Sequence, residues 1–456
     1  MEIYDLIIIG AGPAGYLGAE RAGSAGLKTL LIEKNKIGGV CLNEGCIPSK
    51  TLLYSAKLFD GAAHGEKYGI SVENIKLDQK AVISRKDKVV KKMVAGVNAS
   101  LRASNITVIA AEAHIEQKKS DGYIVSAGDE KYTGKRLLIA SGSSPVTPPI
   151  PGLKEGLGNG FVLTNKEILE LETIPDNLVV IGAGIIGLEM ASYYNSAGSS
   201  VTMIEMLDHI AGQTDAEISE ILRRNYEKKG IVFNLDSKVI SIGSGNVTYE
   251  QNGQTFSLDT DKVLLSIGRR PVVKGLGLEN IGVEIINGAV VTDLHCKTNI
   301  PDVYAAGDVN GKSMLAHTAY REAEVAVNNM LGKKDTVRYD TIPGVIYTNP
   351  EVAGIGETEA SAKEKGLSYE TVRMSMMYSG RYAAENEGGN GICKLLIDKG
   401  TRKLLGVHMI GNPVSEIIFG AGIMMETEMR VEDMKELVFP HPTVSEIIRE
   451  GIFDIK

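Results

Sequence analysis

Short, fully apolar runs alternate with alanine-rich segments through the first half of the chain. The run Leu6–Ile9 precedes an alanine-rich segment, and a second apolar run follows and ends at Glu33. Uninterrupted apolar runs of this length, separated by segments with helical composition, are typical of strands buried on both faces of a parallel sheet. The pattern therefore predicts a strand, a helix and a second strand that forms a parallel pair with the first.

The same unit occurs twice. Residues 5–34 align without a gap with residues 177–206, so that each copy has a strand, a glycine-rich turn, a helix and a second strand that ends in an acidic residue. Repeats of one supersecondary unit indicate repeated architecture. We therefore expect an α/β fold with two doubly wound, Rossmann-like parallel sheets.

Both copies carry the pattern Gly-x-Gly-x-x-Gly directly after the first strand: Gly10, Gly12 and Gly15, then Gly182, Gly184 and Gly187. One such motif alone is also compatible with a purely structural turn. In both copies, however, a glutamate follows 18 residues after the last glycine, Glu33 in the first and Glu205 in the second. Glycines here admit a pyrophosphate to the backbone, and the carboxylate accepts hydrogen bonds from an adenosine ribose. Two dinucleotide sites are predicted.

The second site is expected to bind NAD rather than NADP. A carboxylate at Glu205 repels a 2′-phosphate, and residues 206–209 contain no arginine to receive one.

A fainter similarity pairs residues 135–145 with residues 261–271, each a strand followed by glycine and proline, as expected where a chain passes from one domain to another. We predict a first dinucleotide-binding domain at 1–147 that resumes at 270–341, a second at 148–269, and an α+β domain of antiparallel strands and helices at 342–456. Gly142, Gly268 and Gly307 end strands that should meet the cofactors. A helix is expected from Met314 onward, with Ala316 in an N-terminal turn that faces a phosphate or a flavin ring.

Composition narrows the class of protein. The 456 residues include 52 glycines and carry a formal net charge of −8, which argues against a nucleic-acid binder and against binding to anionic membranes. Four cysteines are too few for a disulfide-stapled secreted scaffold. The apolar stretch at 6–19 is interrupted by glycines and is too short to span a bilayer. We expect a cytoplasmic protein without a membrane segment.

Two of the cysteines, Cys41 and Cys46, lie five residues apart in the glycine-flanked segment 38–50. A zinc half-site, two unconnected core cysteines and a redox-active dithiol are the three interpretations of this spacing. Cys296 and Cys393 offer no second ligand pair, apart from His295 next to the former. No metal site is therefore expected.

The segment CLNEGCIPSK, both glycine turns, VYAAGD at 303–308 and FPHPTVSE at 439–446 together resemble the pyridine nucleotide–disulfide oxidoreductases. The resemblance extends from residue 5 to about residue 452. Two positions depart from the family pattern: Val40, where threonine is usual, and Glu44, where valine is usual.

The resemblance implies the following roles. Cys41 is the thiol that exchanges with substrate, and Cys46 faces the flavin of a bound FAD. Lys50 lies beside the flavin and pairs with Glu189, and Asp308 holds the ribityl chain. His441 and Glu446 form an acid–base pair that reaches the disulfide across a homodimer interface.

The implied activity is oxidation of protein-bound dihydrolipoamide to lipoamide with NAD⁺. The implied partner is a lipoyl-bearing subunit of a 2-oxoacid dehydrogenase complex or of the glycine-cleavage system. One alternative is a related FAD-dependent reductase that acts on another small disulfide. Another is a mainly docking component, since residues 414–456 hold nine acidic side chains against four basic ones.

Overall fold

The computed structural model describes residues 3–456, and their backbone contacts divide them into two compact units. The first unit comprises residues 3–51, 83–146 and 268–339. The second comprises 52–82, 147–267 and 340–456, so it contains both the predicted NAD segment and the C-terminal segment. The four predicted domain segments remain a prediction.

A five-stranded parallel sheet forms the centre of the first unit. Its spatial order is Val303–Ala305, Leu137–Ile139, Leu6–Ile9, Thr29–Glu33 and Thr107–Ala110. Four of these strands are apolar and fully buried over almost their whole length, as the uninterrupted apolar runs predicted. A second, four-stranded sheet in this unit has the order Ile3–Tyr4, Glu130–Gly134, Gly122–Ala127 and Ala113–Lys119.

The second unit contains the other copy of the parallel sheet. Its order is Val162–Leu163, Lys262–Leu265, Asn177–Ile181, Ser200–Ile204 and Val232–Asn234. The aligned strands Leu6–Ile9 and Asn177–Ile181 occupy the same central place in their sheets. The sequence repeat is thus a repeat of topology, and the doubly wound α/β prediction is confirmed.

The fainter similarity has a structural counterpart. Its two ends, Ser143–Pro145 and Arg269–Pro271, pair with each other as an antiparallel two-stranded ribbon. A second ribbon joins Ile285–Ile286 to Ala289–Val290.

The C-terminal part of the second unit is α+β, as expected. Its five-stranded antiparallel sheet has the order Gly344–Ile346, Val352–Gly356, Leu404–Ile410, Ile392–Asp398 and Tyr369–Ser375. Three further antiparallel strands of this unit are Ser237–Ile242, Asn246–Gln251 and Gln254–Asp259.

Thirteen α-helices occur within residues 3–456: Pro13–Ser24, Gly39–Glu44, Cys46–Ala63, Gln79–Ala103, Leu153–Gly158, Ile185–Ser196, Ala216–Lys228, Ala316–Met330, Glu359–Glu364, Gly380–Glu385, Val414–Glu426, Val431–Lys435 and Glu446–Asp454. None of the helices in this described range combines the length and the apolar character needed to cross a bilayer.

Candidate active site

The first glycine turn is shaped by close backbone contacts. Gly10 has φ +97°, and a Cβ there would lie 2.4 Å from the carbonyl oxygen of Ala140, so only glycine fits. A Cβ at Gly15 would lie 1.8 Å from the carbonyl oxygen of Gly10, which shows how tightly helix and strand pack. Gly12 precedes the helix Pro13–Ser24 and provides no side-chain cap, so the first N–H groups of the helix stay available to an anion.

Glu33 ends the adjacent strand and reaches this turn. Its Oε2 accepts the N–H of Ala11 at 2.6 Å, and its Oε1 accepts the N–H of Asn35 at 2.7 Å. The carboxylate thus lies beside the turn, as a ribose-binding acid must.

The second turn reproduces this geometry. Gly182 has φ +98°, and a Cβ at Gly187 would lie 2.2 Å from the carbonyl oxygen of Gly182. Oε2 of Glu205 accepts the N–H of Ala183 at 2.7 Å. A Cβ at Gly184 would meet nothing within 4 Å, which leaves open space at the start of the helix Ile185–Ser196. Both turns fit the adenosine diphosphate half of a dinucleotide.

The cysteine segment packs directly on the first turn. Gly38 donates its N–H to the carbonyl of Ala11 at 2.8 Å, and a Cβ at Gly39 would lie 2.6 Å from Cα of Gly12. The backbone of the cysteine segment therefore contacts the backbone of the first glycine turn directly. A side chain at Gly39 would prevent this contact.

Cys41 lies in the short helix Gly39–Glu44, and Cys46 is the first residue of the helix Cys46–Ala63. Both are free thiols, and their side chains share a hydrogen bond. This hydrogen bond, together with burial, raises the pKa of the Cys41 thiol, whereas the nearby charge of Lys50 opposes the rise. Pro48 is part of the second of these helices. It lies in the first turn of the second helix, where a missing N–H costs no hydrogen bond.

Lys50 and Glu189 are placed on separate helices. Nζ of Lys50 lies 3.4 Å from Oγ of Ser49. Glu189 is buried in the helix Ile185–Ser196, and its Oε1 accepts the N–H of Tyr347 at 3.1 Å. Glu189 is therefore not a surface residue, while its pairing with Lys50 remains a prediction.

Asp308 belongs to a polar network that the sequence did not reveal. It accepts a hydrogen bond from the hydroxyl of Ser143, and Arg269 donates to Oγ and to the backbone carbonyl of Ser143 at 2.8 and 2.9 Å. Burial lowers the pKa of the Arg269 guanidinium, and the charges of Asp308, Glu44 and Cys46 oppose that shift. Gly142 and Gly268 directly precede the two paired strands that carry Ser143 and Arg269.

Glu322 is a further residue that sequence reasoning missed. It is completely buried in the helix that begins at Ala316, and its Oε2 accepts the N–H of Gly307 at 2.6 Å. Its Oε1 accepts from Nδ2 of Asn310 at 2.8 Å and from the hydroxyl of Tyr339 at 2.7 Å. The carboxylate thereby fixes Gly307 before Asp308 and Asn310 after it. A glutamate among the alanines of a buried helix face was the available signal.

His441 and Glu446, the two residues expected to pair near the C-terminus, lie within hydrogen-bonding distance. Nδ1 of His441 lies 2.9 Å from Oε1 of Glu446, and Oε2 of Glu446 accepts the N–H of Thr443 at 2.8 Å. The Thr443 hydrogen bond, and then that of His441, lowers the pKa of Glu446. A short helix follows this loop. The helix begins at Glu446, so the carboxylate lies in its first turn. The His441 side chain is 79% exposed.

Within residues 3–456, no three His, Cys, Asp or Glu side chains are arranged to hold a metal ion.

Residues 4–323 match the model of the pyridine nucleotide-disulphide oxidoreductase family, and residues 342–452 match the dimerisation domain of the same family. The chain belongs to the pyridine nucleotide–disulphide oxidoreductase family. The resemblance found in the sequence is confirmed, as are the predicted cofactors, FAD and NAD. The dimerisation-domain match supports a homodimer.

Among curated relatives, the chain is 39% identical to dihydrolipoyl dehydrogenase of Mycoplasma pneumoniae, over 99% of both chains. It is 38% identical to dihydrolipoyl dehydrogenase of Rhizobium etli, over 99% of this chain and 98% of that one. Among solved structures, it resembles the HOCl-induced flavoprotein disulfide reductase RclA of Escherichia coli with a TM-score of 0.87, 26% identity and complete coverage of both chains.

Proposed function

We propose that this family member oxidises protein-bound dihydrolipoamide to lipoamide, with NAD⁺ as the final acceptor. The observation that carries the proposal is the contact between the thiols of Cys41 and Cys46 in a segment that packs on the first glycine turn. The full-length similarity to dihydrolipoyl dehydrogenases supports this choice of substrate.

The chemistry at the cysteines is a thiol–disulfide interchange that starts from a Cys41–Cys46 disulfide. A substrate thiolate attacks Sγ of Cys41, and Cys46 leaves as a thiolate. The second substrate thiolate then attacks the substrate sulfur of the mixed disulfide, which closes the substrate disulfide and releases Cys41. Two electrons pass from the substrate to the protein dithiol.

The base that accepts the proton of the substrate thiol is His441 of the partner subunit. With its Nδ1 hydrogen-bonded to Glu446, the ring presents Nε2 as the base that accepts the substrate thiol proton. The exposure of His441 in a single chain is consistent with a base that acts on another subunit.

The remaining residues hold the cofactors. The first turn with Glu33 would bind the adenosine half of FAD, Asp308 its ribityl chain, and the second turn with Glu205 the adenosine half of NAD⁺. When bound, FAD and NAD⁺ supply the acceptors for the two electrons of the dithiol. Lys50, held by Glu189, would place its positive charge near the flavin.

The test is NADH formation by the purified protein from dihydrolipoamide and NAD⁺, followed at 340 nm. We expect turnover by the wild type, and loss of at least about a thousandfold in Cys41→Ser and Cys46→Ser, because either change removes the disulfide. Cys393→Ser is the matched control, since this buried thiol lies in the antiparallel sheet. Full activity in Cys46→Ser contradicts the mechanism, and an FAD-loaded protein without turnover contradicts the substrate.

A second candidate function is reduction of another small disulfide. Val40 and Glu44 differ from the family pattern beside the cysteines, and the RclA structure shows that similar folds include a disulfide reductase of another kind. Lipoamide, glutathione disulfide and cystine compared as NADH-dependent substrates distinguish the two. A higher kcat/KM for glutathione disulfide or cystine than for lipoamide favours the second candidate.

We further propose that the enzyme acts in the cytoplasm on a lipoyl-bearing subunit of a 2-oxoacid dehydrogenase complex or of the glycine-cleavage system. Comparing kcat/KM for purified lipoyl proteins of each system identifies the physiological one.

A further inference from the structure

The helix Gln79–Ala103 carries an unusual concentration of positive charge for an acidic protein. Seven of its side chains are Lys or Arg and only Asp87 is acidic, whereas the whole chain has 49 basic against 57 acidic residues. Asp87 pairs at 2.7 Å with the buried Lys86. The carboxylate of Asp87 is therefore already engaged with Lys86.

Four of these cations form what we call the basic stripe: Lys88, Lys91, Lys92 and Arg102. All four are exposed. At 3.6 residues per turn they fall within about 100° of the helix circumference, so they lie on one side of the helix. The opposite side of the helix is buried through Ile83 and Leu101.

The four cations of the stripe are not ion-paired within residues 3–456. Elsewhere on the first unit, exposed lysines do form ion pairs. Lys34 pairs with Glu112 at 3.2 Å, and Lys135 pairs with Asp5 at 2.8 Å. Clustered like charges repel one another, and an anionic partner removes that repulsion.

The helix that carries the stripe is hydrogen-bonded to the helix that begins at Cys46. Nη1 of Arg85, one turn before Lys88, donates to the carbonyl of Thr51 at 3.0 Å. Thr51 is on the helix that begins at Cys46 and directly follows Lys50. The basic helix is therefore anchored about one and a half turns from the flavin-facing cysteine.

We infer that the basic stripe docks an acidic face of the protein domain that carries the lipoyl group. This inference rests on the proposed function, because it assumes a dithiol delivered to Cys41 by a carrier. A protein with net charge −8 repels an acidic carrier, and a local basic surface on a helix bonded to the helix of Cys46 directs the carrier to this part of the first unit. A membrane or nucleic acid would also bind cations, but neither accounts for their place on a helix that is bonded to the helix of Cys46.

The test compares two substrates on FAD-loaded enzyme: free dihydrolipoamide, and a reduced lipoylated domain of net negative charge. The variant K88E/K91E/K92E should raise KM for the domain about tenfold, corresponding to about 1.4 kcal/mol, and leave kcat/KM for free dihydrolipoamide within about twofold. The neutral variant K88Q/K91Q/K92Q should give an intermediate KM. In the wild type, KM for the domain should rise with salt.

The matched control is K119E/K333E/K334E, which makes the same change in net charge at three exposed lysines of the first unit. It should leave both substrates unaffected, and all variants should keep the wild-type size in solution. An unchanged KM for the domain in K88E/K91E/K92E overturns the inference, as does an equal loss with free dihydrolipoamide. A loss of binding to anionic phospholipid vesicles, with the domain KM unchanged, assigns the stripe to a membrane instead. Absence of wild-type turnover with free dihydrolipoamide is a failure of the proposed function itself.

Discussion

His441 and Glu446 are joined by a 2.9 Å contact between Nδ1 and Oε1, and the second carboxylate oxygen of Glu446 accepts the N–H of Thr443. This arrangement orients the imidazole from a helix first turn, where a carboxylate is also stabilised by the helix dipole. The pair is thus held locally, within six residues.

Replacement of Glu446 by glutamine should lower kcat/KM for dihydrolipoamide about a hundredfold, because a neutral amide accepts the Nδ1–H of His441 more weakly than a carboxylate and orients the ring less firmly. His441→Gln should cost at least as much. Steady-state NADH formation measures both. Glu450→Gln, on the same helix, is the control and should retain activity. Wild-type activity in Glu446→Gln excludes an acid–base role for the pair.

The lowered pKa of Glu446 also predicts a pH dependence of stability. A carboxylate whose pKa is lower in the folded than in the unfolded state stabilises the fold above its unfolded pKa, about 4.3, and this contribution is lost as pH falls through the folded value. The difference in melting temperature between wild type and Glu446→Gln should be constant near neutrality and shrink below about pH 4. Thermal melts across that range check this, and a difference that grows on acidification contradicts it.

Glu205 is predicted to determine the choice of nicotinamide nucleotide. Its carboxylate lies at the second glycine turn, where it accepts the N–H groups of Ala183 and Leu207 at 2.7 and 2.9 Å. Glu205→Ala should raise KM for NAD⁺ about tenfold and reduce the discrimination against NADP⁺, since both the ribose acceptor and the repulsive charge are lost. Asp208→Asn, an exposed carboxylate three residues later, is the control for general charge effects. Unchanged kcat/KM ratios for the two nucleotides refute this role.

Glu322 is predicted to be needed for FAD retention without contacting FAD. Glu322→Ala leaves the N–H of Gly307 and two side-chain donors without an acceptor, which should cost about 2–4 kcal/mol and release the turn that carries Asp308. FAD fluorescence during dilution measures retention, and melts of the apoprotein measure stability. Glu324→Ala, an exposed position on the same helix paired with Arg21, should affect neither. FAD affinity equal to wild type in Glu322→Ala contradicts the prediction.

The helix Val414–Glu426 is predicted to contribute to the homodimer interface. Phe419 and Ile423 are 69% and 46% exposed in the single chain and lie one turn apart on one face. Phe419→Lys places a charge in that apolar surface and should yield monomers with little activity, because His441 of the partner subunit no longer reaches Cys41. Light scattering together with the NADH assay tests this. Ile286→Lys, 52% exposed in the first unit, is the control and should remain dimeric and active.

The sequence alone determined the features that are local along the chain. The two glycine turns and the glutamates Glu33 and Glu205, each 18 residues after the last glycine of its turn, are encoded within one supersecondary unit. The contact between His441 and Glu446 was likewise accessible from the sequence, since Glu446 follows His441 by only five positions.

Only the tertiary structure decided which distant residues meet. Ser143, Arg269 and Asp308 come together because a two-stranded ribbon joins segments more than a hundred residues apart. Alanines around Glu322 indicate a buried helix face, but only the packing shows that its carboxylate accepts the N–H of Gly307. The basic stripe can be drawn on a helical wheel, but its position beside the helix of Cys46 depends on the packing of two helices, which hydrophobic periodicity does not specify.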